Sequence, residues 1–196
     1  PMVYPCDERE AIRYFRTVAQ ASEWPIMIYN NPVSYKTDVS PEMFADLAEE
    51  EKFVAIKESS GILSRITDIV NLTGDRYQVF TGVDTLAFES LLLGAVGWVA
   101  GLVCAFPQET VELYRLAMNG AIDDARKLYR WFMPLLHLDV STKLVQNIKL
   151  VEALVSDGSE TVRAPRLPLV GLERDRVESI VRQALANRPR LIADEL

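Results

Sequence analysis

One lysine, one tyrosine and one serine in this chain are spaced for amine chemistry. In "FVAIKESSG" (53–61), Lys57 closes the apolar run Phe53–Ile56, which has the make-up of a buried β-strand. An ammonium group near its ordinary pKa of ~10.4 is a poor nucleophile at neutral pH. Burial disfavours the charged form, and the freed amine can attack a carbonyl carbon to form a Schiff base. The resulting iminium draws electrons, so a proton or carbon group on the adjacent carbon can leave, provided something shuttles protons. Tyr29, near the end of "PIMIYNNP" (25–32), supplies a phenol at the tip of the preceding strand. Parallel neighbours lie ~4.8 Å apart, within reach of such a contact. Alternation along the strand sends Lys57 and Ser59 to one face and Glu58 to the other. The plainer alternative is a solvated or ion-paired lysine beside a packing tyrosine. Of six lysines (36, 52, 57, 127, 143 and 149), only Lys57 follows an unbroken strand-like run.

The elements that hold these residues alternate from position 25 to 101. Short apolar runs ("PIMIYN", "KFVAIKES", "RYQVFTG", "AVGWVAG") are separated by amphipathic segments ("SPEMFADLAEE", "LSRITDIVNLTG", "VDTLAFESLLLG"). This is the βαβα pattern of a parallel sheet with helical crossovers, and four strands are visible. A helix over about 7–21 opens with Asp7 and Glu10 as a capping-box pair, and another starts at Ser40-Pro41. Beyond Gly101 the chain reads as helical, over about 107–118, 121–136, 140–155 and 172–186, with an extended link "RAPRLPLVG" (163–171). The expected division is 1–106 for the α/β part and 107–196 for the helical part. Four βα units cannot close an eight-stranded barrel of ~250 residues. The opening "PMVYP" reads as the tail of a strand, so the expectation is the C-terminal half of a (β/α)8 barrel, strands 5 to 8, with a helical extension.

Composition narrows the function classes. The chain has 196 residues, 49% of them hydrophobic and 25% charged, which suits an ordinary globular core. Its net charge of −7 argues against nucleic acid, whose phosphates need clustered Lys and Arg. The longest apolar stretch, Leu91–Phe106, is broken by Gly94, Gly97 and Gly101 and falls short of the ~20 residues a membrane span requires. Two cysteines, Cys6 and Cys104, form no metal-ligand spacing and point to a reducing compartment. No leader is read at the start, and the expectation is a cytoplasmic protein.

Several further positions follow from placement at strand ends. Gly82 either leaves space for a ligand or turns the chain. Asp84 either faces substrate or caps the next helix. Gly101 and Leu102, after the last strand, are candidate lining residues beside Ser59. His137, the single histidine, lies between Leu136 and Leu138 with no second ligand at helical spacing, which favours packing or hydrogen bonding over metal binding. Trp131, Phe132, Leu135 and Leu136 either pack on the barrel or form an oligomer interface.

The motifs "YNNP" and "AIKESSG", 28 positions apart from Tyr29 to Lys57, resemble the dihydrodipicolinate synthase and N-acetylneuraminate lyase family of class I Schiff-base enzymes. "TGVD" (81–84), "GAVGWVAG" (94–101) and the helical tail are similar too, so the resemblance spans nearly the whole chain. It implies a TIM barrel with a helical extension, a homotetramer, Lys57 as the Schiff-base lysine and Tyr29 as the proton relay, with no cofactor and no metal. It also implies a Gly-Thr-Thr segment for the substrate carboxylate, upstream of residue 1.

Two departures bear on the substrate. Dihydrodipicolinate synthases read "YNxPxR", whereas the arginine position here is Ser34; the tyrosine they lend across an interface falls at Val3, with Tyr4 beside it. The tail "WFMPLLHLDVSTKLVQNIKL" (131–150) is similar to members acting on 1-pyrroline-4-hydroxy-2-carboxylate in hydroxyproline breakdown. The resemblance therefore implies a lyase or deaminase of a small 2-oxo acid or its cyclic imine, foremost that pyrroline. The alternatives are 4-hydroxy-tetrahydrodipicolinate synthase, a 2-keto-3-deoxy sugar acid aldolase, or a catalytically silent relative or fragment that binds a metabolite.

Overall fold

A computed structural model describes residues 4–191. The expected strand tail "PMVYP" falls mainly on residues 1–3, outside the described ones, as does Val3; Tyr4 and Pro5 belong to no strand. The chain forms two compact units, the first running to Val99 and the second starting at Ala100.

In the first unit helices and strands alternate: α1 (Glu8–Ala21), β1 (Ile26–Asn30), α2 (Pro32–Tyr35), α3 (Pro41–Asp46), β2 (Phe53–Glu58), α4 (Ser64–Thr73), β3 (Gln78–Thr81), α5 (Ala87–Leu92) and β4 (Gly97–Trp98). The strands pair in parallel in the order β1-β2-β3-β4. This is the build of a partial (β/α) barrel. Local chemistry sets the helix starts. Asp7 and Glu10 satisfy each other's backbone amides in a capping box, and Ser40 accepts from the Met43 amide ahead of Pro41.

Register partners share a face of the sheet. Ile28, Ile56 and Val79 stand in one row and are all buried, as are Phe44, Leu47, Ile66 and Ile69 from the helical crossovers. Tyr29, Lys57, Phe80 and Gly97 form a row on the opposite face. Gly97 is required there: a Cβ at that position would lie 2.6 Å from the Phe80 ring.

The second unit holds α6 (Pro107–Met118), α7 (Ile122–Leu136), α8 (Leu144–Val155) and α9 (Gly171–Ala186). Its start at Ala100 differs from the expected boundary after residue 106. Leu102 sits in a single 3₁₀ turn (Leu102–Cys104) and is fully buried, while Phe106 packs edge-on against Phe132 at 5.8 Å. Once strand pairing stops at Trp98, these apolar side chains find their cover among the helices. The expected helix from residue 140 starts later, at Leu144, because the Ser141 hydroxyl accepts from the Lys143 amide and from Asn147 Nδ2 and holds a turn. Phe132, Leu135 and Leu136 are buried within this unit, and Trp131 stacks on Phe132 while its indole N–H donates to the Ala184 carbonyl of α9. His137 is the C-cap residue of α7 and is exposed, while its neighbours Leu136 and Leu138 are buried.

Candidate active site

Strand pairing brings Tyr29 and Lys57 side by side, as register partners at the C-terminal ends of β1 and β2. Lys57 is half-buried, and its Nζ lies 4.1 Å from the centre of the Tyr29 ring. The contact is thus between the amine and the ring face, not the phenol hydroxyl. That hydroxyl is held elsewhere: it accepts a hydrogen bond of 2.9 Å from Asn31 Nδ2.

Ser59 and Gly82 complete the cluster. A Cβ on Gly82 would lie 2.0 Å from Ser59 Oγ and 2.5 Å from Lys57 Cε, so only glycine lets both side chains occupy this space. Ser59 is buried, and its hydroxyl has no hydrogen-bond partner among the described residues. A buried polar group left unpaired costs free energy, and in a native fold it calls for an explanation such as a ligand.

Asp84 is fully buried at the start of a 3₁₀ turn. Its carboxylate accepts from the Trp98 indole N–H at 3.1 Å. The chain enters α5 through that extra turn. Gly101 and Leu102 lie in the second unit, where the space beside the Gly101 Cα is filled by Asp139 and Ile148 and Leu102 is core.

Behind the sheet, a polar network that sequence reading missed ties these strand ends together. Asn30 and Glu58 are the register partners that follow Tyr29 and Lys57, and both are buried. Asn30 Nδ2 donates to Glu58 Oε2 at 3.0 Å and to Asp38 Oδ1 at 3.2 Å, while its Oδ1 accepts from the Val39 amide. Glu58 Oε1 also accepts from the Ser60 amide, which fixes the turn carrying Ser59. Arg65 on α4 grips Asp38 with two bonds, of 2.5 and 2.6 Å, and its guanidinium holds the Asp38 carboxyl below the usual carboxylate range. A buried carboxylate is tolerated only when so satisfied. The signal available in the sequence was polarity at the inward-buried positions of "YN" and "KE", against the strand's apolar trend.

No group of three or more His, Cys, Asp or Glu placed to hold a metal occurs among the described residues. No described helix is long and apolar enough to cross a membrane.

Comparison with known proteins places the chain. Residues 1–184 match the model of the dihydrodipicolinate synthetase family, and the chain belongs to that family. It is 31% identical over 189 residues to the 4-hydroxy-tetrahydrodipicolinate synthase of Methanothrix thermoacetophila, covering 96% of this chain and 63% of the relative. It is 32% identical over 166 residues to that of Thermomicrobium roseum, covering 84% and 55%. Among solved structures, dihydrodipicolinate synthase from Aquifex aeolicus superposes with a TM-score of 0.85 at 28% identity, covering 95% of this chain and 63% of that one. The 4-hydroxy-tetrahydrodipicolinate synthase of Methylacidiphilum fumariolicum SolV gives 0.82 at 26% identity, covering 93% and 62%. The chain therefore spans about three-fifths of the length of these proteins.

Proposed function

We propose that this chain carries the amine-and-phenol part of a Schiff-base lyase acting on a small 2-oxo acid or its cyclic imine. The observation that carries this is the Lys57 amine lying 4.1 Å from the centre of the Tyr29 ring at paired strand ends. The Ser59 hydroxyl on the same side, without a partner among the described residues, supports it. Lys57 Nζ attacks the carbonyl carbon, and the oxygen takes up a proton to give a carbinolamine. Tyr29 donates the proton with which that hydroxyl leaves as water, forming the iminium. The phenolate then takes a proton from the adjacent carbon, and electrons flow into the iminium to give an enamine. Ser59 donates its hydrogen bond to the bound substrate, as the geometry at Gly82 allows. Asp84, two positions after Gly82, is held by the Trp98 indole N–H.

Within this class the substrate we propose is 1-pyrroline-4-hydroxy-2-carboxylate. Lys57 adds to the imine carbon, the 4-hydroxyl is eliminated as water, and hydrolysis then releases ammonia and 2,5-dioxopentanoate, with a net uptake of one water. Ser34 supports this choice: it offers no cation for a second carboxylate at the place where dihydrodipicolinate synthases resemble one another in carrying arginine. The second reading, 4-hydroxy-tetrahydrodipicolinate synthesis, is favoured by the names of the relatives at about one-third identity. A homotetramer in the cytoplasm is proposed on the same family resemblance.

Borohydride reduction of the full-length protein with pyruvate or the pyrroline, followed by peptide mapping, tests the mechanism. An adduct on Lys57 is expected. No adduct with either compound would leave only the silent, metabolite-binding relative. Ammonia release from the pyrroline, compared with pyruvate-dependent condensation, decides the substrate.

A further inference from the structure

The Tyr29 hydroxyl meets a residue to which neither the strand pattern nor the family resemblance assigns a role. Asn31 stands two positions on, where the chain leaves β1, and it is the N-cap of the short helix α2. Its two amide atoms have separate duties. Oδ1 accepts from the Ser34 amide at 3.1 Å, and Nδ2 donates to the Tyr29 hydroxyl at 2.9 Å. The cap fixes which end of the amide is which, because only the oxygen can accept from a backbone N–H. The nitrogen is thereby aimed at the phenol oxygen.

A phenol that accepts from Asn31 has its oxygen pinned on one side, with its own proton left to be given away elsewhere. The same turn brings the Tyr35 ring against the Tyr29 ring, edge to face at 5.4 Å, so ring and hydroxyl are both braced by residues 31–35. Lys36 ends that turn with φ of 63°, a left-handed conformation that non-glycine side chains seldom take, and its amide donates to the Pro32 carbonyl.

We infer that Asn31 is a positioning residue for Tyr29, holding the phenol oxygen through Nδ2 so that its proton points toward the substrate carried by Lys57. This rests on the Schiff-base mechanism proposed above. Asn31 touches neither amine nor substrate in this account; it acts through Tyr29.

Asn31→Asp separates the two duties. Aspartate caps a helix as well as asparagine does, so α2 and the melting temperature are retained. It cannot donate, and its carboxylate instead accepts a hydrogen bond from the phenol, turning the hydroxyl proton away from the substrate. With pyruvate as probe, borohydride trapping at Lys57 reads imine formation, and wash-in of deuterium at the pyruvate methyl reads proton shuttling. The expected result is unchanged half-saturation for trapping, with deuterium wash-in slowed about five- to tenfold, the worth of one hydrogen bond of ~1–1.4 kcal/mol. In a Tyr29→Phe background the Asn31→Asp change is expected to cost nothing further. Wash-in at the parental rate, or an equal loss in the Tyr29→Phe background, would overturn the inference.

The contact has its own readout, independent of turnover. The side-chain amide signal of Asn31, identified in ¹⁵N spectra as the one lost in Asn31→Asp, should move in Tyr29→Phe; a signal that stays put overturns the inference. Absence of any Lys57 adduct in the parent protein would instead count against the Schiff-base mechanism, while the amide signal still decides whether Asn31 holds the phenol.

Discussion

Tyr29 and Lys57 are register partners on adjacent parallel strands, and the lysine nitrogen packs over the tyrosine ring at 4.1 Å from its centre. A cation over an aromatic face gains ~0.5–2 kcal/mol, and the contact fixes where the lysine nitrogen stands relative to the tyrosine. Two substitutions separate these roles. Lys57→Met is expected to abolish trapping by borohydride. Tyr29→Phe keeps the ring and should still form the adduct, with turnover lowered about 10²- to 10³-fold, the range of general acid–base assistance. Trapping in Lys57→Met, or full turnover in Tyr29→Phe, would contradict the assignment.

Gly82→Ala tests the crowding beside the lysine. Its methyl would lie 2.0 Å from Ser59 Oγ and 2.5 Å from Lys57 Cε, so at least one of them has to move. Displacements of about an ångström at reacting groups can cost on the order of 100-fold. The expected outcome is a slowed rate of Lys57 trapping in a folded protein, checked by circular dichroism alongside the trapping assay.

Ser59→Ala should act oppositely on stability and on binding. The hydroxyl is buried with no partner among the described residues, so its removal relieves an unpaired polar group. The melting temperature is expected to hold or rise. Half-saturation with pyruvate should weaken about three- to tenfold, matching a lost hydrogen bond of ~1 kcal/mol. A fall in melting temperature with unchanged half-saturation would show that the hydroxyl serves the fold instead.

Acid should loosen the network behind the sheet. The hydrogen bonds from Arg65 hold the Asp38 carboxyl below its ordinary range, aided by Asn30 and opposed by partial burial. A lowered carboxyl pKa means that the folded state releases its proton more readily than the unfolded state. The stability contributed is therefore present above the ordinary carboxylate pKa of ~3.9 and is lost as pH falls through the lowered value. The Asp38 side chain is 44% exposed, which limits the size of the effect. Arg65, Glu58 and Glu42 are the other charged groups of this cluster. Arg65→Met is expected to flatten the dependence of melting temperature on pH below the ordinary carboxylate pKa of ~3.9, compared with the parent.

At alkaline pH the group to follow is Tyr77. Burial pushes its phenol up to about 12, and its hydroxyl donates to the Phe44 carbonyl at 2.8 Å. The folded state keeps this proton while an unfolded tyrosine loses it near pH 10, so stability is full below ~10 and declines as pH rises toward 12. Tyr77→Phe should blunt that decline in alkaline melting curves, at the cost of one buried hydrogen bond at neutral pH.

The line between what was legible in the sequence and what was not runs through particular residues. Phe53–Ile56 and "PIMIYN" announced buried strands ending at Lys57 and Tyr29, and the βα alternation placed those ends on one rim. The capping residues Asp7, Glu10 and Ser40 marked helix starts that the structure keeps. Hidden from it were the Asn30–Glu58 bond, the grip of Arg65 on Asp38, the acceptance by Asp84 from Trp98, and the amide of Asn31 on the Tyr29 phenol. Only the first set follows from the apolar period and from caps within a few residues along the chain.

The sequence by itself determined that an amine and a phenol would stand at the tips of neighbouring strands, because strand and helix periods are local properties of the chain. Tertiary structure alone decided the rest: that Lys57 meets the ring face and not the hydroxyl, that Ser59 beside Gly82 is left without a partner among the described residues, and that Ala100–Phe106 joins the helical unit. Those outcomes depend on strand register, on rotamers and on which apolar surfaces find cover, each set by residues far apart in the chain.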